Sequence, residues 1–330
     1  MSEAAFTDLI DLAAERLGGA VLVANDEFFA PKESLLRSSP AVWKEGEYTD
    51  RGKWMDGWET RRRRTPGHDW CVVRLGLPGI VRGVVVDTAF FRGNYPEQCS
   101  LEGADIAGVP DPETLANDAG VRWQELLPRT ALTGDARNTF ELAHRERLTH
   151  LRFHIYPDGG VARLRVHGEA RPDPALLARG QVLDLAAMEH GGYVVQCSDM
   201  FFGHRQNLIL PGRSTHMGDG WETRRRRGPG HDWSIVRLAA RGTLQRLELD
   251  TDHFKGNAPG RCSLEWCDAP GADAGALQSG AQWQPLLSET PLQPHARHAW
   301  DVKSAPATHV RLNIFPDGGV ARLRVFGSVA

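Results

Sequence analysis

Three scarcities bound this chain of 330 residues. Cysteine is sparse and odd in number: Cys71, Cys99, Cys197, Cys262 and Cys267, with no Cys-x-x-Cys pair. Neither a disulfide framework nor a structural zinc site is expected, and Cys99 and Cys262 read as buried strand thiols. Long apolar runs are missing too. None reaches the roughly 18 residues that a membrane helix needs. The polar, acidic stretch before Leu9 is unlike a secretory leader. No membrane association and a cytoplasmic location are therefore expected. Charge of one sign is also lacking: the net charge of −3 gives no long-range attraction to nucleic acid or anionic lipid. What is present is ordinary globular composition, 41% hydrophobic and 25% charged, in a chain long enough for two cores.

The most informative presence is a duplication. Asp56–Trp70 recurs at Asp219–Trp233 with 14 of 15 positions identical, Thr65 becoming Gly228. Pro157–Val166 and Pro316–Val325 are the same ten residues, Pro-Asp-Gly-Gly-Val-Ala-Arg-Leu-Arg-Val. The offsets of 163 and 159 residues suit two whole domains rather than a solenoid. Many shared letters are Arg, Asp, Glu, His and Trp, which answer to hydrogen bonds and charge rather than to core volume.

Each repeat opens with apolar residues at helical spacing, which predicts a short helix over Phe6–Leu17 and over Val182–His190, each ended by Gly-Gly. Strand patterning follows. Trp70–Leu75 is expected to pair with Val81–Asp87, and Trp233–Leu238 with Leu244–Asp250. Leu151–Tyr156 alternates with period two, and Pro157-Asp-Gly-Gly160 is expected to turn it back into Val161–His167 as a hairpin. The same hairpin is expected over Val310–Phe326. Short strands between Gly- and Pro-rich loops indicate an all-β class: two tandem jelly-roll β-sandwiches, residues 1–170 and 171–330. Arg171-Pro-Asp-Pro174 has linker composition.

Glu59, His68 and Asp69 recur as Glu222, His231 and Asp232. Carboxylates and imidazoles in one short stretch suit proton transfer near neutral pH, although turn capping and packing are open alternatives. The four-arginine runs offer Arg61, Arg63, Arg224 and Arg226. Their planar forks could grip a carboxylate, or could serve structural ion pairs. Nucleic-acid binding is not expected, because the runs lie inside a repeated motif of a net acidic chain. Asp87–Asn94 matches Asp250–Asn257 and reads as a polar loop at a strand end, with Thr88, Asn94, Thr251 and Asn257 as neutral donors and acceptors. The copies also differ there: Phe90 becomes His253 and Arg92 becomes Lys255. Further on, His154 and Tyr156 become Asn313 and Phe315. One composite site and simple drift both account for such exchanges. No compact spacing demands a metal, so none is expected, although residues of several loops could still meet at a divalent ion.

Asp-Gly-Trp-Glu-Thr-Arg-Arg-Arg-Arg with Gly-His-Asp-Trp, the Asp-Thr-x-x-Phe-x-Gly-Asn loop and Pro-Asp-Gly-Gly-Val-Ala-Arg resemble the allantoicase family, in both repeats and over nearly the whole chain. The resemblance implies a repeated jelly roll similar to galactose-binding-like sandwiches. It implies a hydrolase of purine and allantoin degradation that converts allantoate and water to (S)-ureidoglycolate and urea, often as a homo-oligomer. On that basis Glu59, His68, Glu222, His231 and His253 are the catalytic candidates. Arg61, Arg63, Asn94, Arg224, Arg226, Lys255 and Asn257 are the substrate-binding candidates. The competing expectation is a non-catalytic double sandwich that binds a small ligand or carbohydrate.

Overall fold

The computed structural model describes residues 5–117 and 120–330. The chain divides into two compact units, Met1–Arg171 and Pro172–Ala330. Each is an antiparallel jelly-roll sandwich whose eight strands are organised by one long strand. In the first unit that strand is Asp69–Asp87. Its first part pairs with Leu148–Tyr156 on one side and Ala20–Ala24 on the other. Its last part pairs with Arg163–Ala170 and Arg137–Glu141. One strand thus serves both layers. The second unit repeats the plan around Asp232–Asp250.

The shared strand corrects two sequence expectations. Trp70–Leu75 and Val81–Asp87 do not pair with each other, because Gly76-Leu-Pro-Gly79 continues the strand instead of turning it. A Cβ on Gly76 would lie 2.5 Å from the Leu17 carbonyl oxygen, and one on Gly79 2.3 Å from that of Glu169. These glycines answer to the close approach of neighbouring backbone. Nor does Leu148–Tyr156 form a hairpin with Arg163–Ala170. Both pair with the long strand, at opposite ends of it, and the Pro-Asp-Gly-Gly segment crosses between them. On the way Gly160–Val161 pairs with Trp58–Glu59. Phe91 fills the space beside Gly160, where any Cβ would collide with its ring at 1.9 Å.

The expected helices shrink to single 3-10 turns. Ala5–Asp8 and Glu15–Leu17 flank a two-residue strand, Ile10–Asp11. The reason is competition for the backbone. Leu12 donates to Val166 O at 2.7 Å and accepts from Gly76 N at 2.8 Å, so its peptide groups are spent on the sheet. In the second unit Val182–Asp184 is likewise strand, with one turn at Met188–His190. The apolar spacing there reports burial, since Leu12, Ala13, Leu185 and Ala186 are fully buried.

Val72, Val84, Val86, Leu101, Leu151, Phe153, Ile155, Leu164 and Val166 form the first unit's core. All five cysteines are free, and burial pushes Cys99 and Cys262 up to about 12, so neither is a ready nucleophile. Among the described residues no helix is long and apolar enough to cross a membrane.

Two matching histidines make stability depend on acidity. His150 and His309 are buried, each Nδ1 sharing a 2.9 Å hydrogen bond with the preceding threonine hydroxyl. Burial, reinforced by Arg74 and Arg237, pushes both imidazoles down to about 4. Below the ordinary 6.5 the unfolded chain therefore binds more protons than the folded one. Stability should fall as pH drops from about 6.5 toward 4. Thermal scans across that window should show a flatter pH dependence for His309→Gln. An unchanged slope would clear the histidine of this role.

Candidate active site

The Asp-Gly-Trp-Glu-Thr block is pinned before its charges act. Trp58 is fully buried and donates from Nε1 to Asp26 O at 2.8 Å. The following residue, Glu59, pairs through its backbone with Ala30 and Gly160. Its side chain meets Asn94, whose Nδ2 donates to Oε1 at 2.7 Å. Asn94 is fixed in turn, because its carbonyl accepts from Gly160 N at 2.7 Å. Three segments distant in sequence thus converge on one carboxyl–amide pair.

That pair lines a cavity of about 530 Å³ with Phe29, Trp43, Lys53, Phe90 and Arg92 among its walls. Glu59 is only 9% exposed. Burial pushes its carboxyl above the ordinary range, and the Asn94 hydrogen bond opposes this only in part. Lys53 rides 4.0 Å over the Trp43 ring and has no acidic partner among the described residues. Arg92 is exposed and bonded to Asp135 at 3.0 Å. The cavity therefore combines one carboxyl able to hold a proton, one amide, two cations and aromatic walls.

Glu222 and Asn257 reproduce the pair at 2.6 Å in the second unit. Their surroundings differ. The repeats are offset by 173 residues at Ala30 and Gly203 but by 163 at Asp56 and Asp219, so the first carries ten additional residues. Those residues belong to the stretch that supplies Trp43 and Lys53, including a small hairpin of Tyr48–Thr49 with Gly52–Lys53. In the second unit Met217 Sδ instead lies 3.2 Å from Asn257 Nδ2. His253 sits in a left-handed backbone conformation, φ 69°, with Nε2 on Ser214 O at 3.0 Å. Lys255 is exposed, two residues before Asn257.

The arginines of the repeated run lie elsewhere. Arg61 bonds Asp26 at 2.6 Å, and Arg224 bonds Asp199 at 2.8 Å. Arg63 bonds Asp69 at 2.9 Å, and Arg226 bonds Asp232. The Asp158 and Asp317 carboxylates each accept from the run's backbone, at Arg63 N and Arg226 N, at 2.7 Å. These four side chains are held by aspartates and are not among the walls of the Glu59 cavity. His68 is separate as well: it lines a different cleft and bonds His154 at 2.9 Å. His231 bonds Asn313 at 3.3 Å. The structure therefore does not bring Glu59 and His68 together, although nine residues separate them in sequence. The strand begins at Asp69 and carries His68 away from the Trp58–Glu59 pairing.

Sequence reasoning passed over Lys53 and Trp43, whose only signal was that their segment is absent from the second repeat. Arg163 was passed over too, inside Val161–His167, a segment read only as a strand of the expected hairpin. It is buried and bonds Asp56 at 2.7 Å while donating to Ser39 O, Pro40 O and Asp56 O. Among the described residues no group of three or more His, Cys, Asp or Glu is placed to share a metal ion.

The allantoicase-repeat family matches residues 10–171 and 183–330. Probable allantoicase 1 of Burkholderia mallei is 50% identical over 324 residues, 97% of this chain and 94% of that protein. Allantoicase of Dictyostelium discoideum is 45% identical over 323 residues, 97% of this chain and 87% of that protein. The crystal structure of allantoicase from Saccharomyces cerevisiae superimposes with a TM-score of 0.80 at 32% identity, covering 96% of this chain and 92% of that one. This chain belongs to the allantoicase family, with one family repeat in each of its two units.

Proposed function

We propose that this protein hydrolyses allantoate to (S)-ureidoglycolate and urea, and that the reaction takes place in the Glu59 cavity of the first unit. The observation that carries the placement is a buried carboxyl, raised by its burial, beside a cation that no acid neutralises. Allantoate has one carboxylate and two ureido groups on a single carbon. The Lys53 ammonium attracts the carboxylate, with Arg92 beside it. Glu59, protonated, gives its proton to one ureido nitrogen. The carbon–nitrogen bond then breaks as the lone pair of the other ureido nitrogen pushes in, and urea leaves. Water adds to the central carbon and gives a proton to the Glu59 carboxylate, which restores the starting state. One carboxyl acts first as acid and then as base, so atoms and charge balance over the cycle. Asn94 orients it throughout.

The direct test is urea release on incubation with allantoate. A protein that binds allantoate and releases no urea would sink the reading. Release is expected to persist after dialysis against a chelator; a loss restored by a divalent cation would add a metal to the cycle. Lys53→Met should raise KM for allantoate by about tenfold or more, the worth of one charge-assisted contact, with a smaller effect on kcat. Arg61→Gln should change KM far less, because Arg61 is occupied by Asp26. The opposite order would put the substrate carboxylate on the arginine run. Carbohydrate binding has no observation in its favour beyond the sandwich itself.

A further inference from the structure

A second cavity of the first unit takes no part in this cycle. It measures about 440 Å³, and its walls include His68, Trp70, Leu127, His154 and Tyr156. Arg152, His154 and Tyr156 alternate onto one face of their strand, and register sets Ser100 opposite His154 and Glu102 opposite Arg152. Glu102 Oε2 accepts from Arg152 Nε at 2.8 Å and faces His154 Nε2 at 2.8 Å. Burial raises this carboxyl, but the hydrogen bonds from His154 and Arg152, together with the charges of both partners, outweigh it and hold the group below its ordinary value.

These contacts determine where the hydrogens sit. A carboxylate only accepts, so a neutral His154 carries its hydrogen on Nε2. Its Nδ1 is then a lone pair, and it faces His68 Nε2 at 2.9 Å. The hydrogen between the rings belongs to His68 Nε2. That leaves His68 Nδ1 as an acceptor with no partner among the described residues.

The second unit reaches the same state with a different residue. Asn313 Nδ2 donates to Glu265 Oε2 at 3.0 Å and to Ser263 Oγ at 3.2 Å. Its Oδ1 therefore turns to His231 Nε2, at 3.3 Å. An amide oxygen only accepts, so His231 also carries its hydrogen on Nε2 and bares Nδ1. Simple packing would not require two chemically different side chains to impose one tautomer.

We propose that the first unit's second cavity is a ligand site for a planar N–H donor of the urea class, with the bared Nδ1 of His68 as its acceptor and the Trp70 and Tyr156 rings as walls. The urea class rests on the allantoate reading; the acceptor geometry does not. The Tyr156 ring lies 4.6 Å from that of His68, which sets one wall beside the acceptor. Burial first, then His154 and Arg63, hold the His68 pKa down, which favours the neutral ring that can accept. Asp69 opposes this shift and Arg129 adds to it. A further proton on His154 would reverse the chain, making its Nδ1 a donor to His68 Nε2 and turning His68 Nδ1 from acceptor to donor. Asn313 cannot do this, so the reversal is confined to the first unit.

The test uses nitrogen-15 histidine spectra of the full chain carrying Glu59→Gln, with urea as the probe. His68 should appear as the Nε2–H tautomer, and its Nδ1 signal should move saturably with urea at neutral pH. In a protein that also carries His68→Phe, equilibrium dialysis of labelled urea should show binding weakened by about tenfold or more, the worth of one buried hydrogen bond. An Nδ1–H tautomer, or an Nδ1 signal indifferent to urea below denaturing concentrations, would overturn the proposal. The allantoate reading fails separately. If Glu59→Gln still releases urea from allantoate while the His68 signal responds, the Glu59 placement is wrong and the ligand site stands.

Discussion

Glu59→Gln is expected to lower kcat for urea release by about 10²- to 10⁴-fold, the range for loss of a positioned proton donor and acceptor. The same substitution should leave the fold more stable above the ordinary carboxyl range. Burial raises the Glu59 pKa, so the folded chain holds this proton more tightly than the unfolded chain. As pH rises past the ordinary carboxyl value, the unfolded chain releases its proton first, and stability falls until the folded group ionises too. Glutamine has no charge to bury and still accepts from Asn94 Nδ2. The melting temperatures of the two proteins should therefore coincide near pH 4 and separate as pH rises, with Glu59→Gln the higher. A variant that loses both activity and stability would reduce Glu59 to a structural residue. Glu222→Gln is the companion measurement. An equal loss there would show that the second unit's pair works as well, without the additional residues that bring Trp43 and Lys53.

Arg163→Met carries the largest expected effect on stability. Arg163 is 1% exposed and ties Asp56 to the carbonyls of Ser39 and Pro40. Its removal leaves a buried carboxylate with only the half-exposed Arg37 and the Val42 amide. Breaking a buried pair from one side costs about 3–5 kcal/mol, whereas replacing both members by apolar groups is often close to neutral. Arg163→Met should thus melt far earlier in calorimetry, and Asp56→Leu added to it should recover much of the loss. Burial alone would raise the Asp56 pKa, but the hydrogen bonds from Arg163 and the Val42 amide, with the charges of Arg163 and Arg37, together outweigh it and the group stays depressed. The pair's contribution is therefore present above the ordinary carboxyl value and lost as pH falls through the depressed one. The gap between wild type and Arg163→Met should close in acid. Residual turnover of the variant should show a raised KM, because Ser39 and Pro40 lead directly into the segment carrying Trp43 and Lys53. A gap that persists at low pH would mean that the lost stability comes from packing rather than from charge.

Local residue chemistry settled the architecture early. Repeated strand patterning with Gly- and Pro-rich breaks indicates two all-β sandwiches, because alternating burial leaves its trace in every strand. The duplicated motifs named the family, and Glu59 and Asn94 are each legible as candidates, although the sequence sets Glu59 beside His68 rather than Asn94. Glycine was misread where it relieves crowding instead of making a turn, as at Gly76, Gly79 and Gly160. The leading apolar stretches were misread as helices because burial spacing in a short segment does not reveal which strand takes its peptide groups.

The sequence by itself determined which polar groups the two repeats share, since duplication is visible without coordinates. Only the tertiary structure decided their grouping: Glu59 with Asn94, His68 with His154, and the arginine run with its aspartates. Strand register and crossover, not distance along the chain, set these neighbours. Glu59 and His68 lie nine residues apart in sequence, yet they line different cavities.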